Sequence, residues 1–297
     1  MKIYIAEEAG FCFGVKRALE IINRLYENKE SAQIFGELIH NKTVLKDLEK
    51  KGINCIHSLN ELDANKKLVI RTHGIPKELE NRLKKNNIKY IDATCPLVKK
   101  THKIIENLTK SNSQVIIVGD KNHPEVIATK SYSKNAIIIN SIEDAKKVEN
   151  RDKISVVAQT TLDLDFFKSI ISVLLEKAEN LEIYNTICIA TRLTQKAIGK
   201  LAPKVDAVIV IGGKNSSNTK KLFEISLKKN SNTFYLEKAS DLNNPSLINS
   251  LKDFNTIGIT GGASTPPEEI EKARCFFESY KIEREKKNGK KKRNYKH

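Results

Sequence analysis

The sequence is poor in the features that mark secreted, fibrous or membrane-spanning proteins. It has only five cysteines, an odd number with no CxxC pair, which argues against a disulfide framework. Its 13 glycines and 7 prolines in 297 residues are too few for a fibrous or disordered chain. The longest apolar runs, such as 207–211, cannot span a bilayer, and the acidic start MKIYIAEEAG is unlike a signal peptide. We therefore expect a cytoplasmic protein with no membrane partner, in which important cysteines act as ligands or nucleophiles.

The excess of basic residues is concentrated at one end. The net charge is +16, and the segment 281–297 holds nine Lys or Arg against two Glu. Such a charge invites a nucleic-acid interpretation. However, this segment contains only one aromatic residue, Tyr295, and so offers no stacking platform for bases. We expect a solvated basic tail, with an electrostatic patch for an acidic partner as the alternative, and no nucleic-acid partner.

A threefold internal repeat is the most informative feature of the chain. Three cysteines each follow a short strand-like run and open a helix-like segment: Cys12, Cys95 and Cys188. A polar residue lies 28 positions after each of them: His40, His123 and Ser216. A glycine precedes each polar residue by four positions: Gly36, Gly119 and Gly212. Three identical spacings indicate three related structural modules.

Each repeat also ends a later strand-like run in small polar residues. These runs place His73, Thr160 with Thr161, and Ser264 with Thr265 at comparable points. The strand candidates fall into three groups of four, and the N-terminal run 2–6 completes the last group. Alternation of strands and helices predicts an α/β fold of mainly parallel four-stranded sheets, arranged around a pseudo-threefold axis. The predicted modules are 13–94, 95–187 and 188–280 with 1–12, followed by the tail 281–297.

The repeat predicts a single central site, because ligands of parallel α/β units bind at the carboxyl ends of strands. Three converging thiolates suit a soft metal centre. Iron–sulfur clusters usually take four cysteines, so three protein ligands would leave one iron open to substrate. Zinc is the alternative metal. Cys55 and Cys275 lie outside the repeat, and we expect them to have no ligand role.

The polar positions suit a phosphorylated ligand. Ser216, Ser217 and Asn218 stand at a predicted helix start, where backbone N–H groups favour anions. The three histidines could add donors. Glu125, two residues after His123, is a candidate proton donor, but Asp163 follows Thr161 in the same way, and spacing alone does not choose between them. No Walker or GxGxxG motif supports an ATP or NAD site.

Nine motifs in order resemble one enzyme family. They read GFCFGVKRA, HNKTV, THGIP, DATCPLVKKTH, HPEV, QTTL, NTIC, KNSSNT and GGASTP. Together they resemble the 4-hydroxy-3-methylbut-2-enyl diphosphate reductases over about residues 1–280. One departure follows Cys188, where IATRLTQ displaces Arg192 relative to the family pattern.

The resemblance implies a site and a reaction. It implies one 4Fe-4S cluster per chain, with one open iron, held by Cys12, Cys95 and Cys188. It assigns the proton donor to Glu125 and the substrate alcohol contact to Thr160 or Thr161. The implied diphosphate contacts are His40, His73, His123, Ser216, Ser217, Asn218 and Ser264.

The implied reaction is reductive dehydroxylation of (E)-4-hydroxy-3-methylbut-2-enyl diphosphate, an allylic diphosphate, to isopentenyl and dimethylallyl diphosphate. The chain has no flavin or nicotinamide motif, so we expect an electron-donor protein of the flavodoxin or ferredoxin type as partner. The alternative is a non-redox iron–sulfur dehydratase or isomerase that acts on a phosphorylated substrate.

Overall fold

The computed structural model describes the backbone of residues 1–294 and the side chains of residues 1–282. The predicted basic tail therefore lies almost wholly outside the described side chains, and 295–297 lie outside the described residues altogether. The chain forms two compact units: a central unit, Phe13–Arg192, and a terminal unit, Met1–Cys12 with Leu193–His297. The division into three modules stays a prediction; its boundary at 94 and 95 falls inside the central unit.

The strands form three four-stranded parallel sheets, as the sequence predicts. The first sheet contains β2 (Ala32–Phe35), β3 (Asn54–Ile56), β4 (Lys67–Ile70) and β5 (Tyr90–Asp92). The second contains β6 (Gln114–Val118), β7 (Ile137–Ile139), β8 (Arg151–Ala158) and β9 (Ala178–Tyr184). The third, in the terminal unit, contains β1 (Lys2–Ile5), β10 (Ala207–Ile211), β11 (Thr233–Leu236) and β12 (Thr256–Gly261).

The strand order repeats in all three sheets. The orders are β3-β2-β4-β5, β7-β6-β8-β9 and, read in the same direction, β11-β10-β12-β1. The N-terminal β1 thus occupies the position that β5 and β9 occupy in their sheets, and Lys2 pairs with Thr256. This confirms that the N-terminal strand completes the last sheet.

Alternating side chains of the central strands enter cores on opposite faces. In β10, Ala207, Ile209 and Ile211 belong to one buried cluster, whereas Val208 and Val210 belong to another. Side chains of a strand alternate between faces, so a strand covered on both sides must be apolar throughout. This explains the continuous run AVIVI.

Helices connect the parallel strands. They are α1 (Phe13–Glu27), α2 (Lys42–Lys50), α3 (Lys77–Lys85), α4 (Pro96–Leu108), α5 (Pro124–Lys130), α6 (Ile142–Lys146), α7 (Leu164–Leu175), α8 (Ile189–Leu201), α9 (Ser217–Lys229), α10 (Pro245–Leu251) and α11 (Pro267–Asn294). Short 3-10 turns lie at Leu59–Glu61, Ala202–Lys204 and Ala239–Asn243. Within the described residues, none of these helices combines the length and the apolar character that crossing a bilayer requires.

Candidate functional site

Each repeat cysteine is fixed by the same backbone hydrogen bond. Its amide donates to the carbonyl of the residue two positions beyond the end of a central strand. The bonds run from Cys12 N to Ala263 O (3.1 Å), from Cys95 N to Thr72 O (2.9 Å) and from Cys188 N to Thr160 O (2.8 Å). The next residues are His73, Thr161 and Ser264, three of the predicted site residues. The repeat in the sequence therefore corresponds to the same backbone hydrogen bond at three places in the fold.

The five cysteines differ in their local settings. Cys12, Cys95 and Cys188 are partly exposed and directly precede α1, α4 and α8. A helix start favours the negative charge that thiolate ligands carry. These residues therefore fit the donor set of an iron–sulfur cluster. Burial raises the pKa of the Cys55 thiol, and Cys275 is exposed beside Glu271, so neither shares this setting.

Three predicted histidines meet in the central unit. The rings of His40 and His73 stack with centroids 4.5 Å apart, and His123 meets both edge-on at 5.5 Å and 5.3 Å. Their candidate ligand nitrogens all lie within 4.8 Å of one another. Such a cluster can present several N–H donors to one anion, or ring nitrogens to a metal ion.

Hydrogen bonds to neighbouring groups fix the orientation of two of these rings. The Nδ1 of His123 accepts the backbone N–H of Glu125 at 3.2 Å and so caps α5. A neutral imidazole that accepts at Nδ1 carries its proton on Nε2. The Nδ1 of His40 lies 3.0 Å from Oε2 of Glu37 and donates to it.

Burial favours the neutral form of two of the three rings, His73 and His123. It lowers the pKa of His123 to about 4, and the neighbouring His40 lowers it further in the same direction. It also places the pKa of His73 well below its usual value, again with help from the other two rings. The Nδ1 of His73 is enclosed and has no hydrogen-bond partner among the described residues. An unpaired ring nitrogen in such a place fits a polar ligand better than a structural role.

A buried carboxyl stands beside this cluster. The Glu125 side chain is 2% exposed. Its Oε1 accepts the backbone N–H of Thr160 at 2.7 Å, and its Oε2 accepts the Thr160 hydroxyl at 2.7 Å. Burial raises the pKa of Glu125, although both bonds from Thr160 oppose the rise. A carboxyl with a raised pKa keeps its proton to a higher pH than an exposed carboxyl does, and it can release that proton to a neighbour.

The two alternatives left open by spacing differ clearly in their contacts. Asp163 caps α7 by accepting the backbone N–H of Phe166 at 2.7 Å, which is a structural use. The Thr161 hydroxyl accepts a bond from the Gln159 amide at 2.8 Å. Thr160 donates both its backbone N–H and its hydroxyl to the Glu125 carboxyl. The side chains of Glu125 and Thr160 therefore form the acid–hydroxyl pair.

The terminal unit holds a separate group of predicted residues. Ser216 caps α9 by accepting the Thr219 amide at 3.3 Å, Ser217 begins the helix half-buried, and Ser264 is buried. Asn218 is 3% exposed, yet neither atom of its amide has a partner among the described residues. An unpaired buried amide points to a ligand that would complete its hydrogen bonds.

A glycine at the end of β10 keeps this helix start open. Gly212 has φ +150°, and a Cβ there would lie 2.6 Å from the Thr265 hydroxyl oxygen. Any other residue would clash with the loop that carries Ser264. The backbone here needs glycine for both conformation and space.

Sequence reasoning missed another buried histidine, His102. Its ring stacks on Tyr132 with centroids 4.3 Å apart, and burial lowers its pKa to about 4. A Cβ on Gly74 would lie 2.8 Å from its Cε1. His102 therefore packs directly behind the loop that carries His73. The signal was present, because His102 is the last residue of the DATCPLVKKTH motif. Glu37, the partner of His40, was also missed; it lies three residues earlier in the sequence.

Comparisons with known proteins agree on one family. Residues 3–277 match the family described as LytB protein. A curated relative from Thermoanaerobacter sp. (strain X514), named 4-hydroxy-3-methylbut-2-enyl diphosphate reductase, is 45% identical over 91% of this chain and 94% of its own length. A relative of the same name from Aquifex aeolicus is 40% identical over 92% of this chain and 94% of its own length.

Two solved structures are similar throughout. The structure of a reductase for (E)-4-hydroxy-3-methylbut-2-enyl diphosphate, described as the terminal enzyme of the non-mevalonate pathway, is 38% identical with a TM-score of 0.69; the match covers 94% of this chain and all of that one. A Plasmodium falciparum reductase structure is 35% identical with a TM-score of 0.85, covering 91% of this chain and 86% of that one.

The depressed histidine pKa values predict acid sensitivity. Between the usual histidine pKa, about 6.5, and the lower folded-state pKa, the unfolded chain binds protons that the folded chain does not. Stability is therefore lost as pH falls through this range. Urea unfolding at pH 7, 6, 5 and 4.5 should show this decline, and His123→Asn, which retains a capping oxygen, should flatten it. The matched exchange His57→Asn, at an exposed site, should leave the slope unchanged. An equal slope in His123→Asn would contradict the interpretation.

Proposed function

This chain belongs to the LytB protein family, and we propose that it reduces (E)-4-hydroxy-3-methylbut-2-enyl diphosphate to isopentenyl and dimethylallyl diphosphate. The observation that carries the proposal is the start of α5. There, the ring of His123 contacts the rings of His40 and His73. Glu125, two residues later, accepts a hydrogen bond from the Thr160 hydroxyl. An anion-binding group and a proton-donating group thus share one short segment.

The chemistry requires both groups. The substrate loses its hydroxyl as water, and its carbon skeleton takes up two electrons and one proton. The second proton joins the departing hydroxide. An alcohol is a poor leaving group until it is protonated, so a positioned acid speeds the step.

Glu125 and Thr160 are the proposed proton path. A protonated Glu125 can donate from Oε2 to the Thr160 hydroxyl oxygen, because a hydroxyl accepts as well as donates. The Thr160 proton is then directed toward the substrate oxygen. After the transfer, Thr160 donates to the carboxylate, which is the arrangement seen at 2.7 Å. We therefore propose Thr160, rather than Thr161, as the contact to the substrate alcohol.

Each unit carries proposed diphosphate contacts. In the central unit these are His40, His73 and His123. In the terminal unit they are Ser216, Ser217, Asn218 and Ser264, at and around the start of α9. Several donors on one anchoring group hold the reacting carbon in place, and this positioning is itself catalytic.

Cys12, Cys95 and Cys188 are the proposed ligands of one 4Fe-4S cluster per chain. When bound, the cluster would supply the two electrons one at a time and a Lewis-acidic iron with an open position. The fixed cysteine amides hold the three thiolates at the starts of their helices. Thr160 bonds Cys188 through its carbonyl and Glu125 through its hydroxyl, so the proposed proton path begins next to a ligand loop.

Reduction also requires a partner. The proposed electron donor is an acidic carrier protein of the flavodoxin or ferredoxin type, and the proposed location is the cytoplasm, where thiols stay reduced. A dehydratase or isomerase would turn over without an electron donor. The named relatives are reductases, so this alternative is not favoured.

Replacing any proposed ligand should remove the cluster. We expect Cys12→Ser, Cys95→Ser and Cys188→Ser each to abolish the broad visible absorption of the anaerobically purified protein, together with its activity, because a hydroxyl is a poor soft-metal ligand. Cys55→Ser and Cys275→Ser are the matched controls and should keep both. If Cys55→Ser lost the cluster while Cys12→Ser kept it, the ligand assignment would be wrong.

Exchange of Glu125 for Gln should separate proton transfer from binding. The amide keeps the size and an acceptor for Thr160 but cannot deliver a proton. We expect turnover to fall at least ~100-fold, with cluster absorption and substrate affinity retained. Asp163→Asn is the matched control and should keep turnover within a few fold. Near-normal turnover of Glu125→Gln would remove Glu125 from the mechanism.

The unpaired amide of Asn218 predicts that its replacement by an apolar residue weakens substrate binding without destabilising the fold. Asn218→Leu has a similar volume and removes two unsatisfied buried atoms, so the free energy of unfolding should stay equal or rise by about 1 kcal/mol. Affinity for the diphosphate substrate should fall at least tenfold. Chemical denaturation and calorimetric titration measure the two effects. A destabilised variant with unchanged affinity would mean that the amide serves the fold instead.

A further inference from the structure

A surface groove in the central unit adjoins two of the proposed cluster ligands. Its volume is about 310 Å³, and it is lined by one face of α4, the first turn of α8 and the segment that joins β9 to α8. Six side chains define its character: Leu97, Lys100, Ile104, Tyr184, Ile189 and Arg192. Leu97 follows Cys95 by two residues, and Ile189 directly follows Cys188.

The groove exposes large apolar side chains next to these cysteines. Leu97 is 38% exposed and Ile189 is 57% exposed. Leu97, Lys100 and Ile104 follow one another at helical spacing along a single face of α4. Isolated exposed apolar residues are common, but two from different helices that line one concavity form a patch.

The charge of the groove has one sign. Its lining includes Lys100 and Arg192, both exposed, and no acidic side chain. A second groove of the central unit instead mixes lysines with Glu80, Asp92 and Glu106. The first groove therefore combines an apolar centre with an unopposed positive rim, which is the anatomy of a protein-binding surface.

We propose that this groove docks an acidic one-electron carrier protein, which passes electrons to the cluster through the segments that begin at Cys95 and Cys188. The inference rests on the proposed function. Electron transfer between proteins slows steeply with distance, so the donor must approach close to the ligands. Transient redox encounters bury little area and depend on charge for their speed, and the small apolar groove with two cations suits such an encounter.

Charge reversal in the groove should slow reduction of the cluster by the carrier protein but not by a small chemical reductant. The double variant Lys100→Glu with Arg192→Glu is compared with the wild type and with Lys46→Glu, an exposed lysine of α2 outside the groove. The probe is an acidic flavodoxin. The first measurement is the second-order rate of cluster reduction by the reduced flavodoxin, followed by stopped flow across a salt series. The second is the affinity for oxidised flavodoxin, followed by NMR line broadening.

We expect the double variant to lose at least about tenfold in both rate and affinity, with a weaker salt dependence. Lys46→Glu should change either value by less than twofold. Leu97→Asn should lower the affinity but leave the salt dependence as it is, because it removes apolar contact and no charge. An unchanged rate and affinity in the double variant, or an equal loss in Lys46→Glu, would overturn the proposal.

Turnover with dithionite keeps this test apart from the proposed function. A small chemical reductant needs no docking surface, so the wild type and all three variants should turn over the allylic diphosphate equally with it. If the wild type itself fails with dithionite, the proposed function is wrong. If the wild type succeeds and the double variant fails with dithionite as well, the groove serves the cluster rather than the carrier, and the docking proposal is wrong.

Discussion

The backbone bond from each repeat cysteine to the exit of a central strand is the constraint on which the site depends. A strand inside a parallel sheet is held on both sides, so the carbonyl two residues beyond its end is nearly as fixed as the sheet itself. The bond from the cysteine amide to that carbonyl fixes the backbone of the cysteine in turn. The same geometry then sets the next residue, and His73, Thr161 and Ser264 inherit their positions from it. Side chains can diverge between repeats because the main chain does not.

Thr160 makes hydrogen bonds to both Cys188 and Glu125. Its carbonyl holds Cys188, its amide holds one oxygen of Glu125, and its hydroxyl holds the other. The carboxyl keeps a raised pKa only because burial outweighs these two bonds. Loss of either bond would raise the pKa further, and loss of burial would lower it. The balance at Glu125 is therefore set by the fold of the central unit and not by a neighbouring charge.

Much of this architecture could be read from the sequence, since spacing repeats and apolar runs report directly on sheets. The three four-strand groups and the closing strand β1 were predicted correctly. The start of β8 at Arg151 has no apolar signal in the sequence, because its first residues are polar and join the sheet by pairing with β9. The choice between Glu125 and Asp163, like that between Thr160 and Thr161, depends on which way a side chain leaves the backbone. Spacing does not carry that information. His102 escaped notice because its contact with Gly74 joins two distant segments.

The closure of the third sheet has a consequence for the order of synthesis. Strand β1 is made first, but its partner β12 lies near the other end of the chain. At about 5–20 residues per second, β1 waits roughly 10–50 s for that partner to be translated. Cys12 waits as well, because Ala263, the residue that fixes its amide, follows β12. All residues of the central unit, by contrast, are synthesised by the time translation reaches Arg192. Of the three proposed ligands, Cys12 is therefore the last whose backbone partner is synthesised.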